Sequence, residues 1–121
     1  MAVTVTNQSN PLGARLVQDT VATSVAVDNT TGTDGSLYAV EIVNSSATIV
    51  YFKLANTADA TSGTTAADVV LMCAAASTQN YVFPSGIVFS TGFSHWCTQG
   101  AAEGNTVAPA APGVIARYVT S

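Results

Sequence analysis

The stretch at residues 36–56, SLYAVEIVNSSATIVYFKLAN, constrains the fold more than any other part of the chain. Its two apolar runs, residues 37–43 and 48–55, are rich in β-branched and aromatic side chains and hold no Gly or Pro, which suits strands. A pleated strand turns successive side chains to opposite faces. In the second run Val50, Phe52 and Leu54 therefore share one face and Tyr51, Lys53 and Ala55 the other, so the first set enters a core while Lys53 stays in water. In the first run Tyr38, Val40 and Ile42 stand opposite Leu37, Ala39, Glu41 and Val43. Only Glu41 makes that second face clearly polar, a pattern that fits cover on both sides. With the polar turn Asn44-Ser45-Ser46 between the runs, the expectation is a β-hairpin at the centre of an all-β domain.

The flanking sequence repeats the theme. Residues 16–27 alternate Val21, Thr23, Val25 and Val27 with small residues, and turn formers follow from Asp28 to Gly35. Residues 57–68 lack apolar periodicity and read as an exposed loop, with at most one helical turn. The run Val69-Val70-Leu71-Met72-Cys73 fits a strand buried on both faces. Phe83-Pro84-Ser85-Gly86 predicts a turn between short strands at 79–82 and 87–89. Strands at 93–98 and 114–119 flank a long loop of small residues with Pro109 and Pro112. The sum is about seven or eight strands in a single-domain β-sandwich of jelly-roll or Greek-key winding, spanning residues 14–121.

Residues 1–13 stand apart. Val3 and Val5 alternate with threonines, and Asn7-Gln8-Ser9-Asn10-Pro11 then breaks regular structure. Such a segment is an extended N-terminal arm able to add a strand to a neighbouring subunit, or an edge strand of its own domain. On the first reading Val3 and Val5 are the partner-binding residues.

Composition bounds the chemistry. The chain of 121 residues is 8% charged, against about a quarter in an average soluble domain, and its net charge is −4. Arg15, Lys53 and Arg117 are scattered, so there is no cationic cluster to displace counterions from nucleic acid. No apolar run is long enough to span a bilayer, and the N-terminus lacks the pattern of a secretory signal, so the expectation is a chain made and folded in the cytoplasm. In that reducing compartment Cys73 and Cys97 are expected as buried free thiols.

Catalytic groupings are sparse. The one histidine, His95, adjoins Ser94, but neighbours in a strand face opposite ways, which argues against proton transfer between them. Cys73, His95 and Cys97 offer too few soft ligands for a structural zinc site, and a histidine hydrogen-bonded within the sheet is the simpler reading. Asp28, Asn29 and Asp34 carry oxygens for calcium, yet such residues also serve turns. No phosphate-binding glycine pattern occurs, and Gly63 stands alone in its loop. Trp96 or Tyr51 would suit stacking on a sugar. The expectation is no enzyme, no metal and no cofactor.

The runs LYAVEIVNSSATIVYFKLANTADATSGTTAADVV and FPSGIVFSTGFSHWCTQG, followed by a small-residue loop and a closing strand, resemble short virion proteins of tailed bacteriophages and prophages. Members of that family share a VYxKLY-like strand, a GTTxP-like loop and a P-x-G-hydrophobic-x-FSTG turn and strand. The matching residues here are 50–54, Gly63-Thr64-Thr65 and 84–92. Ala66 and Ala67 stand where the family has proline after the loop, and Cys73-Ala74-Ala75-Ala76 where a Pro-x-Pro-like turn is frequent. The resemblance implies a capsid decoration (cement) protein on the virion surface. Such a protein forms a homo-oligomer, a trimer at threefold positions, and bridges subunits of the major capsid protein. A neck, tail or baseplate accessory protein and a carbohydrate-binding module are the alternatives.

Overall fold

In the strand Val114–Thr120, Val114, Ala116, Tyr118 and Thr120 are buried and the residues between them only half-buried. This is the period of two expected of a strand with one face on a core. The computed structural model describes residues 3–7 and 13–121, which contain eight strands and no helix. They are β1 (Val3–Asn7), β2 (Arg15–Asp19), β3 (Gly35–Asn44), β4 (Val50–Asn56), β5 (Val69–Cys73), β6 (Ser77–Phe89), β7 (Phe93–Thr98) and β8 (Val114–Thr120). A five-stranded sheet in the order β1-β2-β8-β3-β6 faces a three-stranded sheet in the order β5-β4-β7, and every pairing is antiparallel. The fold is thus the all-β sandwich.

The smaller sheet has a fourth, irregular member. The segment after β2 leaves the large sheet, where Ala22 N–H donates to Val114 O, and crosses to the free edge of β7. There Cys97 N–H donates to Thr23 O at 2.9 Å, and Val27 and His95 exchange backbone bonds at 2.8 and 3.0 Å. With this segment in place the order 2-8-3-6 opposite 5-4-7-segment is the winding of a jelly roll. The regular strand expected over residues 16–27 is therefore confined to β2, and Val21 and Val25 lie exposed in the crossing.

The central hairpin is a correction of a different kind. Both strands exist, but β3 pairs with β6 and β8, whereas β4 pairs with β5 and β7. Each run carries an apolar face. Stacking Val40 and Ile42 across the sandwich from Val50, Phe52 and Leu54 buries both faces, which pairing side by side in one sheet would not do. Asn44 makes the crossing possible. Its Oδ1 accepts Ser46 N–H at 3.0 Å and the Ser46 hydroxyl at 2.6 Å. Its Nδ2 donates toward Thr48 O, Ala74 O and Cys73 O at 2.8, 3.1 and 3.3 Å. One side chain thereby ties the β3–β4 crossing to the β5–β6 corner.

Three further expectations change. β5 is an edge strand with one open face: Leu71 and Cys73 are buried, while Val70 and Met72 are 44% and 45% exposed. The turn at residues 83–86 is a bulge inside the continuous strand β6, where the register against β3 shifts between Leu37 and Ala39. Gly86 takes φ +76° there, and a Cβ on it would sit 2.9 Å from the Tyr38 ring. Finally, Lys53 is not in water but 1% exposed. The outer face of the small sheet is roofed by the loops after β4 and β7, so a second cluster of Ala55, Ala60 and Trp96 forms outside it, and β7 is buried along its whole length.

Residues 3–7 form β1, which pairs with β2 from Val3↔Asp19 to Asn7↔Arg15 as an edge strand of the chain's own sheet. Of the polar break expected at residues 7–11, Asn7 still pairs as the last residue of β1, and residues 8–11 lie outside the described residues. No helix of the described residues is long and apolar enough to cross a membrane.

The Asn44 clamp yields a prediction. Asn44→Ala leaves buried carbonyl acceptors and the Ser46 N–H unpaired and is expected to cost about 2–3 kcal/mol in urea unfolding. Asn44→Asp should be no better, because a carboxylate cannot donate to three carbonyls. A cost below about 0.5 kcal/mol for either variant would show that the corner does not depend on this side chain.

Candidate functional site

His95 lies on β7, on the face it shares with Phe93 and Cys97, and this face points into the sandwich. Its burial is total, at 0% exposure. From the opposite sheet Asp19 of β2 and Tyr118 of β8 reach toward it. His95 Nε2 lies 2.8 Å from Asp19 Oδ2, and His95 Nδ1 lies 2.9 Å from the Tyr118 hydroxyl. The chain continues from Tyr118 to Thr30 Oγ1 at 2.7 Å. Asp19 Oδ1 accepts Val21 N–H at 3.0 Å, so both carboxylate oxygens have partners.

With a neutral ring, one wiring satisfies every atom. Nε2–H donates to Asp19, Tyr118 O–H donates to Nδ1, and the Thr30 hydroxyl donates to the Tyr118 oxygen. Phe52 lies against this group, with ring centroids 5.3 Å from His95 and 6.1 Å from Tyr118. Burial pushes the Tyr118 phenol well above its ordinary range, the Thr30 hydrogen bond opposing and the Asp19 charge adding. An Asp–His hydrogen bond also orients the general base of many hydrolases, there usually through Nδ1 and not through Nε2 as here. Here, however, its third member is a phenol, and Asp19, His95 and Tyr118 are each 1% exposed or less. No substrate atom has a path to the ring, so the constellation holds structure.

The other residues singled out in the sequence are dispersed. The Ser94 hydroxyl turns away from His95, donates to Thr57 O at 2.7 Å and accepts Asn29 N–H at 3.1 Å. Cys73 and Cys97 are free and buried, and no group of three metal-ligating side chains occurs among the described residues. The oxygens of the 28–34 loop serve separate turns: Asp28 accepts Ala60 N–H and Asp34 accepts the Thr33 hydroxyl. Trp96 is buried at 1% exposure and has no ring face to offer a sugar, which removes it as a stacking platform; Tyr51 is half-buried. Val3 packs against the core from β1, and Val5 is 42% exposed beside it. Gly63 takes φ +86° in its loop, a backbone reason for the glycine.

Sequence reasoning missed Asp19 and Tyr118 as partners of His95. A signal was present: in RLVQD, Asp19 shares a face with the buried Val17, so a charge stands where the alternation calls for an apolar residue. Such a charge needs a buried partner.

Two further regions face outward. On the large sheet Thr6, Leu16, Val119, Ala39 and Val82 lie side by side across all five strands. The neighbouring row holds Gln18, Arg117, Glu41 and Asn80, with Arg117 donating to Glu41 at 2.7 Å and to Gln18 at 3.2 Å. Under the roof of the small sheet, Lys53 Nζ donates to Ala102 O at 2.9 Å. Comparison of the chain with protein-family models, curated proteins and solved structures finds no match.

The buried groups predict an alkaline limit to stability. Burial, with smaller contributions from Cys73 and Asp19, pushes the Cys97 thiol from an ordinary 9.0 up to about 12, against an opposing pull from Lys53. A raised folded value means its contribution is complete below the unfolded value and is lost as pH climbs toward the folded one. Tyr118 acts in the same sense above its ordinary 10.0. Lys53, lowered by desolvation, acts in the opposite sense. In reducing buffer the urea midpoint should fall from about pH 9 toward pH 12, and Cys97→Ala should flatten the start of that fall. A midpoint flat across this range would show that the thiol is open to solvent when folded. Separately, Tyr118→Phe, which strips a partner from both His95 and Thr30, is expected to cost about 1–3 kcal/mol at neutral pH.

Proposed function

We propose that this chain is a structural protein of a tailed-phage or prophage virion, specifically a capsid decoration (cement) protein that stabilises the head by bridging major capsid subunits. The observation that carries the reading is the outward face of the five-stranded sheet. There an apolar row from Leu16 to Val82 borders a single ion pair, and Val82 is 57% exposed. A surface so poor in charge is suited to being covered by protein, since charged residues are depleted at the centre of interfaces. The sequence resemblance to virion proteins and the jelly-roll winding, a fold used by capsid domains among others, point the same way. The Asp19–His95 pair offers no counter-argument for catalysis, because it is sealed in the core.

On this reading the protein acts on the capsid surface after synthesis in the host cytoplasm, as a homo-oligomer and most simply a trimer. Each contact with the major capsid protein is modest, and several made at once give slow loss through high effective concentration. At the free edge of this sheet β1 adds Val5, which stands on the opposite face with Val17, as a separate edge contact. A position at the neck or tail would use the same surfaces in fewer copies.

Quantitative mass spectrometry of purified particles distinguishes these positions. A copy number comparable with the major capsid protein is expected. A far smaller number would move the protein to the neck or tail, and its absence from particles would overturn the virion reading. The variant Val5→Asp, at an exposed edge position, should abolish particle binding with an unchanged melting temperature. Retained binding would exclude β1 from the contact.

A further inference from the structure

Val70, Lys53 and Trp96 stand side by side across β5, β4 and β7 on the outward face of the small sheet. The loops after β4 and β7 cover Lys53 and Trp96 while Val70 stays 44% exposed at the rim, leaving a cavity of about 150 Å³ whose wall also includes Thr65, Ala67 and Glu103. Two features of that wall are costly as they stand. Lys53 is 1% exposed, yet its ammonium donates only to Ala102 O among the described residues, with no carboxylate in ion-pair range. The indole Nε1 of Trp96 is buried and has no acceptor.

An ammonium carries three donors and is stable in a protein interior when it is paired and its protons are taken. A buried N–H without an acceptor likewise costs free energy. Arg117 pairs with Glu41, and Arg15, which like Lys53 donates to a backbone carbonyl, is only half-buried, so Lys53 alone of the three is fully buried without a carboxylate. Burial draws the Lys53 pKa below its ordinary value, the sense expected of an ammonium short of partners.

We infer that this cavity is a binding site for a small free monocarboxylate, of acetate or propionate size, held by the Lys53 ammonium with the Trp96 indole N–H as second donor. A carboxylate supplies two acceptor oxygens and a single negative charge, which matches one cation and one further donor. Its alkyl end suits the apolar wall of Val70, Ala66 and Ala67. Glu103 at the same wall selects against a doubly charged anion such as phosphate. The inference does not depend on the virion reading.

Trp96 is the only tryptophan, so its indole gives a single side-chain signal in a proton–nitrogen correlation spectrum of the labelled protein. Sodium acetate titrated against sodium chloride at constant ionic strength should shift that signal saturably, and inorganic phosphate should not. Lys53→Met, which keeps an unbranched stem without the charge, should abolish the shift while the spectrum stays dispersed. The variant Glu103→Gln, at an exposed position, tests the site without touching the sheet. It should tighten acetate binding by about twofold or more, by removing a like charge. The absence of a saturable shift, an equal shift with chloride or in folded Lys53→Met, or an affinity unchanged in Glu103→Gln would each overturn the assignment.

Discussion

The hydrogen-bonded chain from Asp19 through His95 and Tyr118 to Thr30 joins the two layers at the centre of the sandwich. Apolar packing alone holds sheets together without fixing how they sit, because many registers bury a similar area. A polar group buried at one depth is different, since a slip leaves it unpaired in a low-dielectric interior. Asp19 and Tyr118 belong to the large sheet, His95 to the small one and Thr30 to the connection between them. Shifting any strand by one residue would turn its member of the network to the opposite face. The network therefore selects one arrangement from several of comparable hydrophobic merit.

Around this centre the two sheets are dressed unequally. The large sheet presents an open outer face, whereas the small sheet is covered by its own loops and builds a second cluster around Trp96. Coverage explains why Lys53 is buried on a face that alternation assigned to solvent. It also explains why β7 reads as a continuous buried strand although its residues alternate between two different environments. The candidate carboxylate site and the proposed docking face thus lie on opposite outer surfaces, one partly covered by loops and one free.

Much of this was legible from the residues. Alternation located β4, runs of β-branched and aromatic residues marked β3, β7 and β8, and the inward set Val50, Phe52 and Leu54 is buried in full. What the pattern could not carry was pairing. Two adjacent strands with a polar link read as a hairpin, and nothing in the link except the donor and acceptor capacity of Asn44 distinguishes a turn from a crossing. Pro84 and Gly86 marked a real backbone break, but an edge strand absorbs it as a bulge, so one strand stands where two were expected. For the candidate site, His95 was visible and its partners were not, because Asp19 and Tyr118 lie 76 and 23 residues away in sequence. The cavity at Lys53 was invisible for another reason: its roof consists of loops, whose course no periodicity encodes.

The position of β8 has a consequence for biosynthesis. It lies between β2 and β3, and its register joins Arg15 to Thr120, so the two flanks of the large sheet have no common partner until β8 is in place. The β4–β5 and β4–β7 ladders can form from residues translated earlier. The half of the sandwich carrying Asp19 must wait, with its apolar face open, until β8 is available to pair. Closure of the sandwich thus waits on β8, and the chain before that pairing is the species in greatest need of protection from aggregation.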